Sequence, residues 1–193
     1  MLPMWLKLSY SAFVAVLVPI YTRHYGWGNF LWFSDVALLL GCVAIWLEHP
    51  LLASTQAVAV LIPEAFWILE FVLRLTTGTR LLGLTDYMFD GSIPRFVRAL
   101  SLFHVWLPCV LVWLVWRLGY DRRAFLVQTG LGMIVLVSSY VLTSPEDNVN
   151  WVHRWGSVRG LPAFLLSIIV FPLAFYLPAH LALGAIARAA TVR

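Results

Sequence analysis

Long apolar segments alternate with short polar turns along the whole chain. About 20 consecutive apolar residues are enough for one α-helix to cross the hydrocarbon core of a bilayer. The pattern therefore predicts an all-α integral membrane protein, a bundle of about six transmembrane helices that forms a single domain over residues 1–193. The predicted spans are Pro3–Tyr21, Phe30–Leu47, Leu51–Leu73, Ala99–Val115, Ala124–Thr143 and Leu161–Ile186.

Composition points to lipid as the surrounding solvent. Hydrophobic residues make up 62% of the chain and charged residues 11%, and the mean hydropathy is +0.87. The ten tryptophans suit the membrane–water interface. The net charge of +4 comes from scattered basic residues with no basic run, so we expect membrane lipids as partners and no nucleic acid. Cys42 and Cys109 both lie in apolar stretches, which indicates neither a disulfide framework nor a zinc site.

The sidedness of the bundle follows from its loops. An even number of spans places both termini on the face of the short loops, and Arg117, Arg122 and Arg123 cluster there. Because short basic loops favour the cytoplasm, we expect a multi-pass protein of the cell inner membrane with cytoplasmic termini. The apolar N-terminus lacks a clear small-residue cleavage site, so we expect it to be retained as a helix.

Ionisable residues inside the predicted spans are the main functional signal, because each costs roughly 2.5–3.5 kcal/mol to insert. By helix direction, most of them fall in the half of the bundle that faces the longer loops, and Ser34 and His104 share a depth. This asymmetry predicts a cavity open to one side, with the segments 84–91 and 146–151 over its mouth. The ionisable residues are Asp35, Glu64, Glu70, His104 and His180.

Local spacing suggests individual roles for some of these residues. Glu70 precedes Arg74 by four residues, which predicts an ion pair along one helix. Glu64 has no such neighbour, so it is either protonated in an apolar setting or bonded to another helix. His104 lies four residues before Pro108, where the helix loses a backbone hydrogen bond and can kink.

A serine–histidine–acid arrangement is one use of these groups. Ser34 is the candidate nucleophile, His104 the base that would take its proton, and Asp35 or Glu64 the group that would orient the imidazole. A serine in a membrane helix can instead hydrogen-bond a neighbouring helix. A metal site with a single imidazole would be weak for zinc. No phosphate-binding glycine motif occurs, and we predict no metal and no cofactor.

Three short motifs carry a resemblance to known proteins: residues 29–35 (NFLWFSD), 102–108 (LFHVWLP) and 148–151 (NVNW). They resemble an uncharacterised bacterial family of small integral membrane proteins. More distantly, they are similar to YwaF-type membrane proteins and to the androgen-induced-protein group of intramembrane lipid hydrolases and acyltransferases. In that group a threonine or cysteine early in one helix acts with a histidine from a later helix on acyl esters. The resemblance implies that Ser34 holds the nucleophile position and His104 the histidine position.

The leading hypothesis is therefore a membrane-embedded hydrolase or acyltransferase that acts on a lipid ester through Ser34 and His104. A second hypothesis is a non-catalytic membrane subunit that stabilises a larger electron-transfer or photosynthetic complex, with other membrane-protein subunits as partners. A third is a transporter of small solutes or lipids. Pro172 and Pro178 break the last span as in some transporters, but the chain has no matching second half.

Overall fold

The computed structural model describes residues 1–191, with side chains for residues 1–188. The described chain is mostly helical, at 78%, and every predicted span contains an α-helix. Short 3₁₀ segments occur at Trp27–Leu31, Asp86–Phe89 and Val149–Trp151, a π-helical segment at Phe171–Tyr176, and a two-stranded hairpin at β1 (Arg154–Trp155) and β2 (Val158–Arg159). The α-helices are α1 (Met4–Tyr25), α2 (Phe33–Leu47), α3 (Pro50–Thr77), α4 (Arg95–Leu100), α5 (Phe103–Leu118), α6 (Ala124–Leu142), α7 (Leu161–Val170) and α8 (Leu177–Thr191).

Four helical stretches of the described chain are long and apolar enough to cross a membrane. Helix α2 is equally apolar but has only 15 residues. The helical architecture agrees with the expected fold class, and a topology with six spans stays a prediction. The four stretches are Met4–Tyr25, Arg95–Leu118, Ala124–Leu142 and Leu161–Arg188.

Helix α3 lies at the centre of the bundle. It packs against α2, α5, α6 and α8, and the eight consecutive residues 53–60 are all buried. This part of the helix therefore has neighbours on every side. Alanines and Ser54 occupy much of this run, and small side chains let neighbouring backbones approach closely.

The last helical stretch is interrupted where the sequence places two prolines. Pro172 lies in the π-helical segment Phe171–Tyr176, and Pro178 follows in the first turn of α8. Proline lacks a backbone N–H and crowds the preceding turn. The π-helical segment, which is wound more widely than an α-helix, occurs where the prolines disturb the hydrogen bonding. Tyr176, its last residue, is fully buried.

A buried asparagine joins two parts of the chain that are far apart in sequence. The Asn150 side chain accepts a hydrogen bond from the Phe33 backbone N–H at 3.2 Å. Its amide donates to the Leu31 carbonyl at 2.7 Å and to Ser139 Oγ at 3.1 Å. Asn150 therefore satisfies an otherwise free N–H at the start of α2. Its own backbone is left-handed, with φ of 51°, which asparagine tolerates better than most residues.

Replacing Asn150 with alanine should destabilise the fold by about 2–4 kcal/mol, because it leaves buried polar groups unpaired and puts a Cβ-bearing residue without a polar side chain at positive φ. Unfolding of the purified protein in detergent would measure the loss. Asn150→Gly loses the same hydrogen bonds, but glycine adopts a positive φ without strain. The glycine variant should therefore be about 1 kcal/mol more stable than the alanine variant. Equal stability of wild type and the alanine variant would contradict this role.

Gly132 on α6 leaves the space that Tyr176 fills. A Cβ at residue 132 would lie 2.7 Å from the Tyr176 hydroxyl oxygen and 3.0 Å from its ring. Real Cβ atoms do not approach that closely, and the tyrosine is fully buried and cannot move away. Two residues earlier on the same helix, Gly130 has open space around it.

Gly132→Ala should therefore destabilise the protein by about 1–3 kcal/mol through overpacking. Gly130→Ala is the matched control. It makes the same chemical change on the same helix without a clash, and should leave stability unchanged or raise it by up to about 1 kcal/mol. Thermal unfolding of both variants side by side measures the contrast. Similar behaviour of the two variants would show that the contact with Tyr176 does not limit packing.

Candidate functional site

Glu64 and His104 form a direct side-chain pair between α3 and α5. The Nδ1 atom of His104 lies 2.8 Å from Glu64 Oε2 and 3.0 Å from Oε1. Glu64 is 2% exposed, whereas the His104 side chain keeps 13% of its surface exposed. The carboxylate thus fixes the imidazole through Nδ1, which is how an acidic residue orients a histidine in acid–base sites.

Aromatic rings hold the two faces of the imidazole. The Trp67 ring stacks on His104 at a centroid distance of 4.6 Å and the Phe103 ring at 4.2 Å, both within 25° of parallel. Such stacking limits rotation of the imidazole. Among the described side chains, none forms a hydrogen bond with His104 Nε2, and this nitrogen is not among the buried polar atoms. The free nitrogen therefore lies at the protein surface.

Asp35 lies beside this pair but does not bond to the imidazole. It is 3% exposed, and its carboxylate interacts electrostatically with Glu64. Its Oδ2 accepts a hydrogen bond from the Asn29 amide at 3.3 Å, and its Oδ1 has no partner among the described residues. Of the two acids considered from the sequence, Glu64 is the one in contact with His104. Asp35 instead links the site to the 3₁₀ segment before α2.

Ser34 occupies the first turn of α2, between the buried side chains of Phe33 and Asp35. It is partly exposed, and no hydrogen bond joins it to His104 in the described part of the chain. The structure thus brings together Glu64 and His104, with Asp35 nearby, and shows no hydrogen bond between Ser34 and the histidine. Its role as nucleophile stays a prediction.

A cluster of hydroxyl groups extends the site toward the longer loops. The sequence analysis did not identify these groups as a cluster. Tyr21 and Ser101 share a hydrogen bond of 2.6 Å between their hydroxyl oxygens. Burial raises the pKa of Tyr87 well above its ordinary value, and its hydroxyl interacts with Ser101 and with Trp67. Tyrosines near span ends are usually interface anchors, so the sequence carried no distinct signal for this cluster.

The segment 78–94 is tied down next to these groups. Both carboxylate oxygens of Glu70 accept hydrogen bonds from backbone N–H groups, those of Leu82 at 3.2 Å, Gly83 at 2.7 Å and Leu84 at 3.1 Å. Arg74 pairs with Asp86. The predicted ion pair between Glu70 and Arg74 is therefore wrong, because loop amides and a loop carboxylate compete successfully for the two side chains.

Arginines complete the attachment of this segment. Arg74 and Arg80 both pair with Asp86, and Arg98 donates to the Met88 carbonyl at 2.9 Å. The segment is consequently held from α3 and α4 at once, and its position over this half of the bundle does not depend on apolar contacts alone.

His180, the fifth ionisable residue of the predicted spans, lies in α8 away from this cluster. Its Nδ1 lies 2.6 Å from the Tyr120 hydroxyl, in the turn between α5 and α6. In the residues described with side chains, no group of three or more His, Cys, Asp or Glu side chains could hold a metal ion.

Comparisons of this chain with protein-family models, with curated proteins and with solved structures give no match.

Proposed function

We propose that this protein is a membrane-embedded hydrolase or acyltransferase of lipid esters, in which His104 acts as general base and Glu64 orients it. The observation that carries the proposal is the bond between Glu64 and His104 Nδ1, which leaves Nε2 free at the protein surface. A buried acid behind an accessible imidazole is the arrangement that prepares a histidine to accept a proton.

The chemical step uses both nitrogens of the imidazole. With Nδ1–H donated to Glu64, Nε2 is unprotonated and can take the proton of a serine hydroxyl or of a water molecule as it attacks the ester carbonyl. The carboxylate then stabilises the imidazolium that forms. Nε2 returns the proton to the leaving alcohol oxygen when the ester C–O bond breaks. Ser34 is the serine proposed for this attack.

The position of His104 suits a lipid substrate. It is the second residue of α5, and its neighbours Leu102 and Val105 are exposed apolar residues. An ester arriving sideways from the lipid would meet the free nitrogen through this apolar surface.

One observation favours a second candidate function. Glu64 and His104 satisfy each other, as also expected of a structural pair in a non-catalytic subunit of a larger membrane complex. The surface of the described chain carries many exposed large apolar side chains, which suit a partner subunit as well as lipid. Stable co-purification of defined partners with a catalytically inactive chain would favour this alternative.

His104→Ala should lower hydrolysis of a fluorogenic short-chain lipid ester by about 10²–10⁴-fold, the usual contribution of a general base. Glu64→Gln should lower it by up to about 10⁴-fold, because the imidazole loses its orienting carboxylate. The assay uses purified full-length protein in detergent, with circular dichroism to verify folding. His24→Ala, at an exposed histidine, is the matched control and should retain wild-type activity. Full activity of folded His104→Ala would exclude the proposal.

Labelling with a fluorophosphonate probe tests Ser34 separately. If His104 activates this serine, the wild-type protein should be labelled, and Ser34→Ala and His104→Ala should each lose the label. Ser138→Ala, at another partly exposed serine of a predicted span, should keep it. Hydrolysis that persists in Ser34→Ala but disappears in His104→Ala would assign the attack to water and remove Ser34 from the mechanism.

A further inference from the structure

The hairpin before α7 forms one wall of a cavity that neither Glu64 nor His104 lines. Strands β1 and β2 are antiparallel, and Arg154 lies directly opposite Arg159. The cavity has a volume of about 620 Å³. Tyr140, Glu146 and His153 line it together with the two arginines. Residues from α6, from the loop that follows and from the hairpin thus converge on one space.

The two arginines are an unfavourable pair unless something negative lies between them. Like charges directly opposite in an antiparallel pair destabilise it. Among the residues described with side chains, no carboxylate lies within ion-pair distance of Arg154 or Arg159. Two uncompensated guanidinium groups beside a cavity are what an oxyanion such as phosphate requires, because guanidinium binds phosphate through paired hydrogen bonds.

His153 lines the same cavity. Its ring stacks on Tyr140 at a centroid distance of 5.0 Å. Its Nε2 is buried and has no hydrogen-bond partner in the described part of the chain. This nitrogen therefore faces the protein interior, while the imidazole ring forms part of the cavity wall.

The backbone before the hairpin is held in a costly conformation. Asn148, Asn150 and Trp151 all have positive φ, at 45°, 51° and 56°, which is rare for a bulky residue such as tryptophan. The Asn148 side chain accepts from the backbone N–H groups of His153 and Arg154 at 3.0 and 2.8 Å. Strain of this kind concentrates where a chain positions groups for a ligand.

Glu146 contributes the opposite charge on the rim. A hydrogen bond from its own backbone N–H lowers the pKa of its carboxyl, so it is ionised at neutral pH. It forms no ion pair among the described side chains. The cavity therefore presents two free cations and one free anion. A ligand with a phosphate and an amine matches this charge pattern.

We propose that this cavity binds a phosphate group on Arg154 and Arg159, and that a phospholipid with an amino headgroup supplies it, with its amine on Glu146. The position of the cavity favours a lipid as the source of the phosphate. Tyr140 lies in the last turn of α6, which is one of the helices apolar enough to cross a membrane. Headgroups lie at that level of a bilayer. The site does not depend on the Glu64–His104 chemistry.

Ligand binding to the full-length protein in detergent tests the proposal, with thermal stability and native mass spectrometry as readouts. The probes are dihexanoyl-phosphatidylethanolamine, dihexanoyl-phosphatidylglycerol and inorganic phosphate. The ethanolamine lipid should bind wild type most tightly. Arg154→Gln with Arg159→Gln should weaken binding by about tenfold or more, because charge-assisted bonds are lost. The corresponding lysine variant keeps the charges and should bind more tightly than the glutamine variant.

Two controls separate ligand binding from folding and from general charge. Arg23→Gln with Arg95→Gln removes the same charge from exposed positions and should leave binding unchanged. Without ligand, the Arg154/Arg159 glutamine variant should be no less stable than wild type, since a like-charge contact is relieved. Glu146→Gln should reduce binding of the ethanolamine lipid but not of the glycerol lipid.

The outcomes are distinct. Inorganic phosphate that stabilises wild type as strongly as the lipids, and only when both arginines are present, would retain the phosphate site and overturn the lipid assignment. Equal binding of the lipids to wild type and to the folded glutamine variant would overturn the site altogether, as would the absence of binding by all three probes.

Discussion

The burial of α3 is the constraint on which the rest of the structure depends. Much of this helix is buried, and three of its buried polar side chains fix other parts of the chain through hydrogen bonds. Ser54 accepts from the Asp121 backbone N–H at 3.0 Å, Glu64 bonds His104, and Glu70 collects three backbone N–H groups of the following loop. One helix thereby fixes the turn between α5 and α6, the start of α5 and the segment that covers one half of the bundle.

The same constraint explains how much of the candidate site the sequence could predict. Glu64 and His104 were identifiable because ionisable groups in apolar stretches are few and require partners. The choice between Asp35 and Glu64 as the neighbour of the histidine could not be made, since it depends on how α2 and α3 rotate about their axes. The expected pair of Glu70 with Arg74 was wrong for a related reason. Local spacing describes an isolated helix, whereas here loop amides offered a better set of hydrogen bonds.

The helices themselves followed from the apolar pattern, but the loop geometry did not. The strands of the hairpin at residues 154–159 are too short to show an alternating pattern in the sequence. The left-handed backbone of Asn148 and Asn150 could not be predicted either, because residue type alone does not determine it. Asn150 bonds to Phe33 across 117 positions of sequence. Contacts of that range are set by the packed bundle, so a single sequence does not reveal them.

If α2 crosses a membrane, as the sequence predicts, its shortness has a consequence for the surrounding lipid. Fifteen residues give a helix of about 22 Å, against a hydrocarbon core of about 30 Å. The 3₁₀ backbone before α2 would therefore lie below the ordinary membrane surface, where irregular backbone is tolerated only if protein shields it. A bilayer adapts to a short helix by thinning locally. Such a depression beside α2 would draw headgroups and water inward, and with them the ester linkages, toward the level of His104.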